Sequence, residues 1–193
     1  MSALVSLDRT PELMRKPPET LHTSRLLLRK PTREDAPLVF RAYGQDPQVA
    51  HYVPWRPQTC VSESEAVIAR FLDLWRDGGG FHWLLFRHGS RELAGAIGLL
   101  REAHQLELGY VLARSHWGEG LMPEAIMPVV EWAFEDPSVF RVGAVCDVDN
   151  HQSARVLEKA GFEREGVLRQ WALHPNISDV PRDCYSYSKI RGI

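Results

Sequence analysis

Apolar and polar positions alternate between strand-like and helix-like spacing along this chain, and the switches lay out its elements. Leu21 to Arg29 (LHTSRLLLR) has the apolar density of one strand, and Thr32 with Asp35 forms a capping-box-like start for a helix over Arg33 to Tyr43. Pro47, Pro54 and Pro57 interrupt the next segment, after which Ser62 and Glu65 supply an S-x-x-E capping box. Val67, Ile68, Phe71, Leu72 and Trp75 then recur at helical spacing and predict an amphipathic helix over Glu63 to Trp75, ended by Gly78, Gly79 and Gly80.

Three strands are predicted next, Phe81 to Phe86, Leu93 to Leu100 and Leu106 to Leu112, with turns at His88-Gly89-Ser90 and Arg101 to His104 short enough to favour an antiparallel meander. Ile126, Val129, Val130 and Ala133 mark one apolar face of a following helix. A strand Arg141 to Cys146, a helix Asn150 to Ala160, and strands Phe162 to Gln170 and Asp183 to Ile190 complete the order. A meander followed by strand, helix and strand describes an α+β or α/β sandwich with a mixed sheet.

The chain of 193 residues is the size of one compact domain, and 44% hydrophobic residues are enough for one sizeable core. Residues 1–20, with Pro11, Pro17 and Pro18, read as an irregular leader, and 21–193 as the single domain. Lys and Arg number 23 against 25 Asp and Glu, so there is no basic excess with which to hold a nucleic acid. Cys60, Cys146 and Cys184 form no CxxC pair, a pattern suited to a reducing, cytoplasmic setting, and Cys146, ending a core strand, reads as inert. No signal-peptide pattern and no apolar run of about 18 residues occurs, so neither export nor a membrane partner is expected. The eight histidines contain no HExxH and no pair three to five residues apart, so no metal is expected.

Chemistry is densest in Glu107-Leu-Gly-Tyr-Val-Leu-Ala-Arg-Ser-His-Trp-Gly-Glu-Gly-Leu-Met122. A strand ends, two glycines follow at a spacing of two, and a helix begins at once. Amides freed at a helix start, together with the macrodipole, suit a phosphate or pyrophosphate. The pattern is neither GxxxxGK[ST] nor GxGxxG. A second constellation, Asp149-Asn150-His-Gln-Ser153 through Leu157-Glu-Lys-Ala-Gly-Phe162, is a well-formed helix with Asn150 as N-cap and Gly161 just past its end.

Together these stretches resemble the GNAT superfamily of acetyl-CoA-dependent N-acyltransferases, and within it the RimJ/RimL type of ribosomal-protein N-terminal alanine acetyltransferases. The residues carrying the likeness are Leu26-Leu-Leu-Arg29, Trp55, Glu107, Gly109-Tyr110, His116-Trp117-Gly118-Glu119-Gly120, Glu124-Ala125, Asn150, Ser153 and Leu157 to Phe162, and it spans about residues 20 to 190. It implies the GNAT fold, a mixed and mostly antiparallel sheet of six to seven strands flanked by helices, with acetyl-CoA as co-substrate. It implies that the strand with Tyr110, Val111 and Leu112 splays from its neighbour, and that pantetheine bonds main-chain groups near Val111 and Ala113. It places the pyrophosphate on the amides of Trp117, Gly118, Glu119, Gly120, Leu121 and Met122, and Asn150 and Ser153 near the thioester sulfur. The acceptor is then a primary amine, a protein or peptide N-terminus before a small-molecule amine, with a noncatalytic acyl-CoA-binding module as the rival.

Attack by a neutral amine on the thioester needs a base, an oxyanion donor and an acid. Glu107 is the base candidate, against an ordinary solvated carboxylate, and a main-chain amide near Val111 is the oxyanion donor. Many relatives carry a tyrosine acid seven residues after the Asn, where this chain has Leu157, so Ser153 is the replacement candidate, against a hydroxyl that merely bonds its own turn. Ser115, beside Arg114, stands where a Gln or Arg is usual, and Pro123 removes one amide from the first helical turn. Trp55, between Pro54 and Pro57, is a candidate wall of the acceptor pocket, against simple loop packing, and Tyr185 and Tyr187, alternating on one face of the last strand, read as packing with one hydroxyl a candidate for the acceptor channel. Trp75, Trp83 and Trp132 are assigned to the core. Members of this branch often form homodimers, but no decisive apolar patch marks a dimer face in the sequence.

Overall fold

The structure, a computed structural model, describes residues 15–102 and 105–192; residues 1–14 of the expected leader, and Ala103 and His104 of the expected turn, lie outside them. Eight strands form one sheet in the order β1-β2-β3-β4-β5-β6-β8-β7, with every neighbouring pair antiparallel except the parallel β5 and β6. The strands are β1 Thr20–His22, β2 Leu26–Arg29, β3 Gly80–Arg87, β4 Leu93–Glu102, β5 Gln105–Leu112, β6 Arg141–Asp147, β7 Glu163–Ala172 and β8 Arg182–Ile190.

The sheet has one strand more than expected because Leu21 to Arg29 is not one strand. The Thr23 amide donates to the Leu26 carbonyl at 2.9 Å, and the hydroxyl of Thr23 caps the same turn by accepting from the Leu26 amide at 2.9 Å. Those two bonds fold the stretch into the β1–β2 hairpin. The next helix is short and irregular, a 3₁₀ turn Arg33–Asp35, α1 Ala36–Val39 and a π turn Phe40–Gly44. Its Thr32 and Asp35 capping box is present, and Arg29 grips the buried Asp35 at 2.8 and 2.6 Å, locking β2 to the helix start.

Helix α2 runs Val61–Asp77 and ends on Gly78, whose φ of 73° is the left-handed conformation a glycine adopts without strain. The expected Ser62 and Glu65 box does not form. Cys60 is the N-cap, and the Glu63 carboxylate instead accepts from the Thr59 hydroxyl at 2.8 Å, because the chain enters the helix two residues earlier. Helices α3 Leu121–Glu135 and α4 His151–Lys159 follow the sequence expectation closely.

Helices α1 and α2 cover one face of the sheet, over Leu84, Phe86, Leu93 and Ala96; α3 and α4 cover the other, over Leu26, Leu28, Leu99 and Leu106. Trp75, Trp83 and Trp132 are all buried and meet edge to face, Trp75 and Trp132 each against both Trp83 and Phe81. Each such side chain contributes about 1.5–3 kcal/mol by burial, and the edge-to-face geometry adds to that. The Trp83 indole donates to the Pro18 carbonyl at 3.1 Å, satisfying its N–H in the core.

Candidate functional site

The site begins where β5 and β6 part. They pair only at Gln105–Arg141, Leu106–Val142 and Glu107–Gly143, so the rest of both strands faces a gap. Register decides which groups face it. The Ala113 amide donates to the Ala94 carbonyl at 2.8 Å, and stepping by two along this antiparallel pair commits the main-chain groups of Val111, Gly109 and Glu107 to β4 as well. The main-chain groups left facing the gap are therefore those of Tyr110 and Leu112, whereas Val111, which also lines the cleft, and Ala113 turn theirs to β4. Ala113 is buried on the opposite face and lies outside the cleft lining. The Leu112 carbonyl already accepts from the Trp117 indole at 2.8 Å, which leaves the Leu112 amide and both groups of Tyr110.

The gap continues into a cleft of about 360 Å³ whose lining includes Tyr110, Leu112, Trp117, Gly118, Gly120 and Ser153. At its floor is the start of α3. Gly118 and Gly120 hold φ of 80° and 73°, and no side chain caps the helix. The amides of Gly118, Glu119, Gly120, Leu121 and Met122 have no partner among the described residues, whereas the Trp117 amide is spent on the Arg114 carbonyl at 3.2 Å. A left-handed turn into an uncapped helix leaves a row of bare donors, an anion cradle.

A network that the sequence did not announce holds this loop in place. Arg25, in the β1–β2 turn, donates to the carbonyls of Glu119 and Gly120 at 2.9 and 3.2 Å, turning both carbonyls away from the cleft. Glu124 accepts from Thr23 at 2.5 Å, Ser24 at 2.9 Å and the Arg25 amide at 2.9 Å. Burial alone would raise the Glu124 carboxyl, but those hydrogen bonds hold it down at about 2. Glu119 turns outward to Arg87 at 2.5 Å and His116 at 3.2 Å, so any part it takes in ligand contact is through its amide.

Arg114 does not supply the cation that Ser115 lacks, since it pairs with Asp46 at 3.0 Å. Arg155 and Lys159 of α4 instead line the cleft, with no partner of their own among the described residues. Their i, i+4 spacing was the available signal for one basic stripe on that helix.

On the cleft's other wall, Asn150 caps α4 by accepting from the Ser153 amide at 3.1 Å, as expected of an N-cap. The Ser153 hydroxyl is 2.8 Å from the Tyr110 hydroxyl, which also reaches the Ser153 carbonyl at 3.2 Å. Leu157 is fully buried core, and the phenol that does reach Ser153 comes from β5. Burial carries the Tyr110 phenol well above its ordinary value, the Ser153 bond opposing it, so the phenol is protonated at any working pH. Cys146 is buried near this pair with its thiol pushed up to about 11, mainly by burial.

Glu107 lies on the other face of β5. Its carboxylate has no hydrogen-bond partner among the described residues and borders a separate cavity of about 170 Å³ with Phe71, His82, Gly98 and Gly109. Burial first, then the charge of Glu102, raises its carboxyl above the ordinary carboxylate value.

Two other candidates lie elsewhere. Trp55 packs against the α1–α2 core, lines none of these cavities, and gives its carbonyl to Asn176 at 2.8 Å, tying two loops together. Tyr187 is buried with its hydroxyl on Glu158 at 3.0 Å, and Tyr185 lies under Arg164. Among the described residues no group of His, Cys, Asp and Glu is arranged to hold a metal ion, and no helix is long and apolar enough to cross a membrane.

Comparison with known proteins gives the family and the fold. The family model of the acetyltransferase (GNAT) domain matches residues 25–163. The chain is 34% identical over 174 residues to the uncharacterized N-acetyltransferase YoaA of Bacillus subtilis, covering 89% of this chain and 97% of that protein. It is 25% identical over 167 residues to the ribosomal protein uS5-alanine N-acetyltransferase of Escherichia coli, covering 81% and 84%. In fold it matches the solved structure of RimL, a ribosomal L7/L12 alpha-N-protein acetyltransferase in complex with coenzyme A, with a TM-score of 0.80 at 22% identity over 89% of this chain and 98% of that one.

Proposed function

The chain belongs to the GNAT acetyltransferase family and is an acetyl-CoA-dependent N-acetyltransferase, and from that premise we propose that its acceptor is the amino terminus of a protein or peptide, with Glu107 as base and the Tyr110–Ser153 hydroxyl pair as acid. The observation that carries the assignment of the chemistry is the parting of β5 and β6, which opens one cleft onto the bare α3 amides at one end and the hydroxyl pair at the other.

Each group then has a task. The amides of Gly118 to Met122 take the pyrophosphate, with Arg155 and Lys159 adding positive charge at the wall. The Tyr110 and Leu112 main-chain groups fix the pantetheine arm, and an amide of this strand faces the carbonyl oxygen as negative charge develops on it. Glu107, with its raised carboxyl, accepts the proton that the acceptor ammonium must lose before it can attack. As the carbon–sulfur bond breaks, the Tyr110 phenol, held by Ser153, delivers a proton to the sulfur. With its value raised by burial the phenol is in the protonated form, able to donate to the sulfur as the bond breaks.

A polymeric acceptor is supported by a second, broader recess of about 570 Å³ between residues 47–53 and the start of α4, where the remainder of a chain can lie. It is also supported by the Escherichia coli relative, whose name gives an alanine of a ribosomal protein as acceptor. The test is thiol release from acetyl-CoA with peptides bearing a free amino terminus, the same peptides with that terminus blocked and an internal lysine, and spermidine. Turnover confined to free amino termini is expected; turnover of spermidine or of blocked peptides alone overturns the acceptor assignment. Glu107→Gln should lower kcat by about 100-fold with acetyl-CoA affinity unchanged, and an unchanged kcat removes Glu107 as base.

A further inference from the structure

His82 of β3 sits in an arrangement that core packing does not explain. Its ring stacks on Phe71 of α2, centroids 3.9 Å apart and planes 8° from parallel, and extends across β4 rather than along it. It can do so only because Gly98 lies beneath: a Cβ there would stand 2.3 Å from the ring's Cδ2 and 2.6 Å from Nε2. Gly98 is paired on one side with His82 and on the other with Gly109 of β5, where added volume would meet nothing. Two glycines side by side in central strands weaken a sheet, and they mark a place kept clear for something to approach.

The ring is also left unsatisfied. Nδ1 is buried with no partner, and Nε2 has none among the described residues. Burial, aided by the charge of Arg70, lowers the imidazole to about 4, so at neutral pH it presents one bare lone pair. It shares its cavity with the unpartnered carboxylate of Glu107. The remaining polar side chain of that lining, Tyr110, turns its hydroxyl to Ser153 on the opposite face of the sheet. From its lining side chains the cavity therefore offers two hydrogen-bond acceptors, the imidazole lone pair and the Glu107 carboxylate, against one donor, the imidazole's own N–H, and it adjoins Glu107, the last residue of β5 paired to β6. A buried acceptor without a donor is costly, and a pair of them is complementary to a ligand that is all donor.

We propose that His82 and Glu107 together seat the acceptor's primary ammonium, His82 accepting one N–H and Glu107 another, so that His82 is a positioning residue for the amine. This rests on the acetyltransferase reading and adds to it. One proton leaves the ammonium for Glu107, which frees the nitrogen lone pair to bond the thioester carbon. The N–H held by His82 fixes the direction of that lone pair. Glu107 passes that first proton to solvent; after attack the nitrogen gives up its second proton to the same carboxylate and keeps the third in the amide, while the Tyr110 phenol, having protonated the departing sulfur, is restored from solvent.

The direct test records the imidazole ¹⁵N resonances of the CoA-bound wild-type protein during titration with ethylammonium chloride or tetramethylammonium chloride at equal ionic strength, the His82 signals being those lost in His82→Phe. A saturable displacement with ethylammonium and none with tetramethylammonium is expected, because the second cation has no N–H. No displacement, or the same displacement with both, overturns the proposal. Kinetics give a second reading. With ethylamine or a free-amino-terminal peptide as acceptor, His82→Phe should raise the amine KM about 10-fold or more, the loss of a hydrogen bond to a charged group, with the acetyl-CoA KM unchanged. Gly98→Ala, which displaces the ring but keeps its nitrogens, should do the same. The melting temperature of His82→Phe should equal or exceed wild type, since a stranded nitrogen is removed; a fall with an unchanged amine KM would mean His82 serves only the core. An ethylammonium-specific response without peptide turnover would sink the protein-acceptor reading while leaving this seat standing.

Discussion

Helices α3 and α4 both begin at the rim of the same cleft and are finished in opposite ways. At α4 the first turn is closed: the Asn150 side chain accepts from the Ser153 amide at 3.1 Å. At α3 the N-cap is Gly120 in the left-handed conformation, no side chain caps the turn, and the surrounding hydrogen bonds from Arg25 go to carbonyls. An N-cap side chain is normally worth about 1 kcal/mol, so leaving it out at a fifteen-residue helix is a cost in stability. The difference teaches what each end is for. A capped start is a rigid mount for side chains, here Ser153, Arg155 and Lys159, while a bare start leaves its own amides free for a ligand.

The comparison breaks most sharply at Gly120. Val at this position would have to hold φ near 73°, strained by roughly 1–2 kcal/mol for an L-residue, and its side chain would point toward the Arg25 guanidinium 3.8 Å away. Gly120→Val should weaken CoA binding about 100-fold by calorimetry, through the loss of several amide bonds to charged phosphate oxygens; near-normal affinity would show that the α3 start is not the phosphate cradle. A smaller effect is expected at Tyr110→Phe, which leaves the Ser153 hydroxyl but removes the phenol. It should cut kcat about 10-fold or more with CoA affinity unchanged, and an unaltered kcat would return the acid role to Ser153 alone.

Glu124→Gln sharpens the comparison through pH. The carboxyl of Glu124 is held at about 2 in the folded protein, below its unfolded value, so its ion contributes stability above the unfolded value. That contribution is lost as pH falls from the unfolded value toward 2. The melting temperature of the wild type should therefore drop more than that of Glu124→Gln over that range, while above it the variant should be the less stable; parallel profiles would mean Glu124 does not anchor the loop. The smallest change is Asn150→Ala, which should lower the melting temperature by about 2–4 °C, the equivalent of one lost cap in a domain of this size. CoA affinity should stay within about twofold, since no bare amide of α4 is needed by the ligand.

How much of this was legible varied with the range of the forces involved. The glycine turn into α3, the Asn150 cap and the apolar face of Ile126, Val129, Val130 and Ala133 are short-range features and were readable as they stand. The first strand was misread as one element because the Thr23 turn that splits it depends on a side-chain bond and on Glu124, 101 residues away. The Ser62 and Glu65 box was misread because a capping pattern does not say which residue leads the chain into the helix. Flanking prolines left Trp55 open between a pocket wall and loop packing, and its ring sets against the α1–α2 core.

The candidate site divides in the same way. Glu107, Ser153 and the glycine loop stood out in the sequence, and each borders a cavity or cleft. That Tyr110 approaches Ser153 across 43 residues, and that Arg25 pins the loop, could not be inferred from local pattern, because each bond joins two stretches with no shared signature.

By itself the sequence determined the kinds and order of the elements, the anion-ready helix start and the family resemblance, because periodicity, capping and glycine conformation act within a few residues. Tertiary structure alone decided three things: which alternate residues of β5 turn their main chain to the gap, which phenol meets the Ser153 hydroxyl, and that His82 can lie across Gly98 toward the cavity of Glu107. Those are questions of register and of contact between distant strands. A register shift of one residue would reverse every answer along β5 while leaving the sequence pattern untouched.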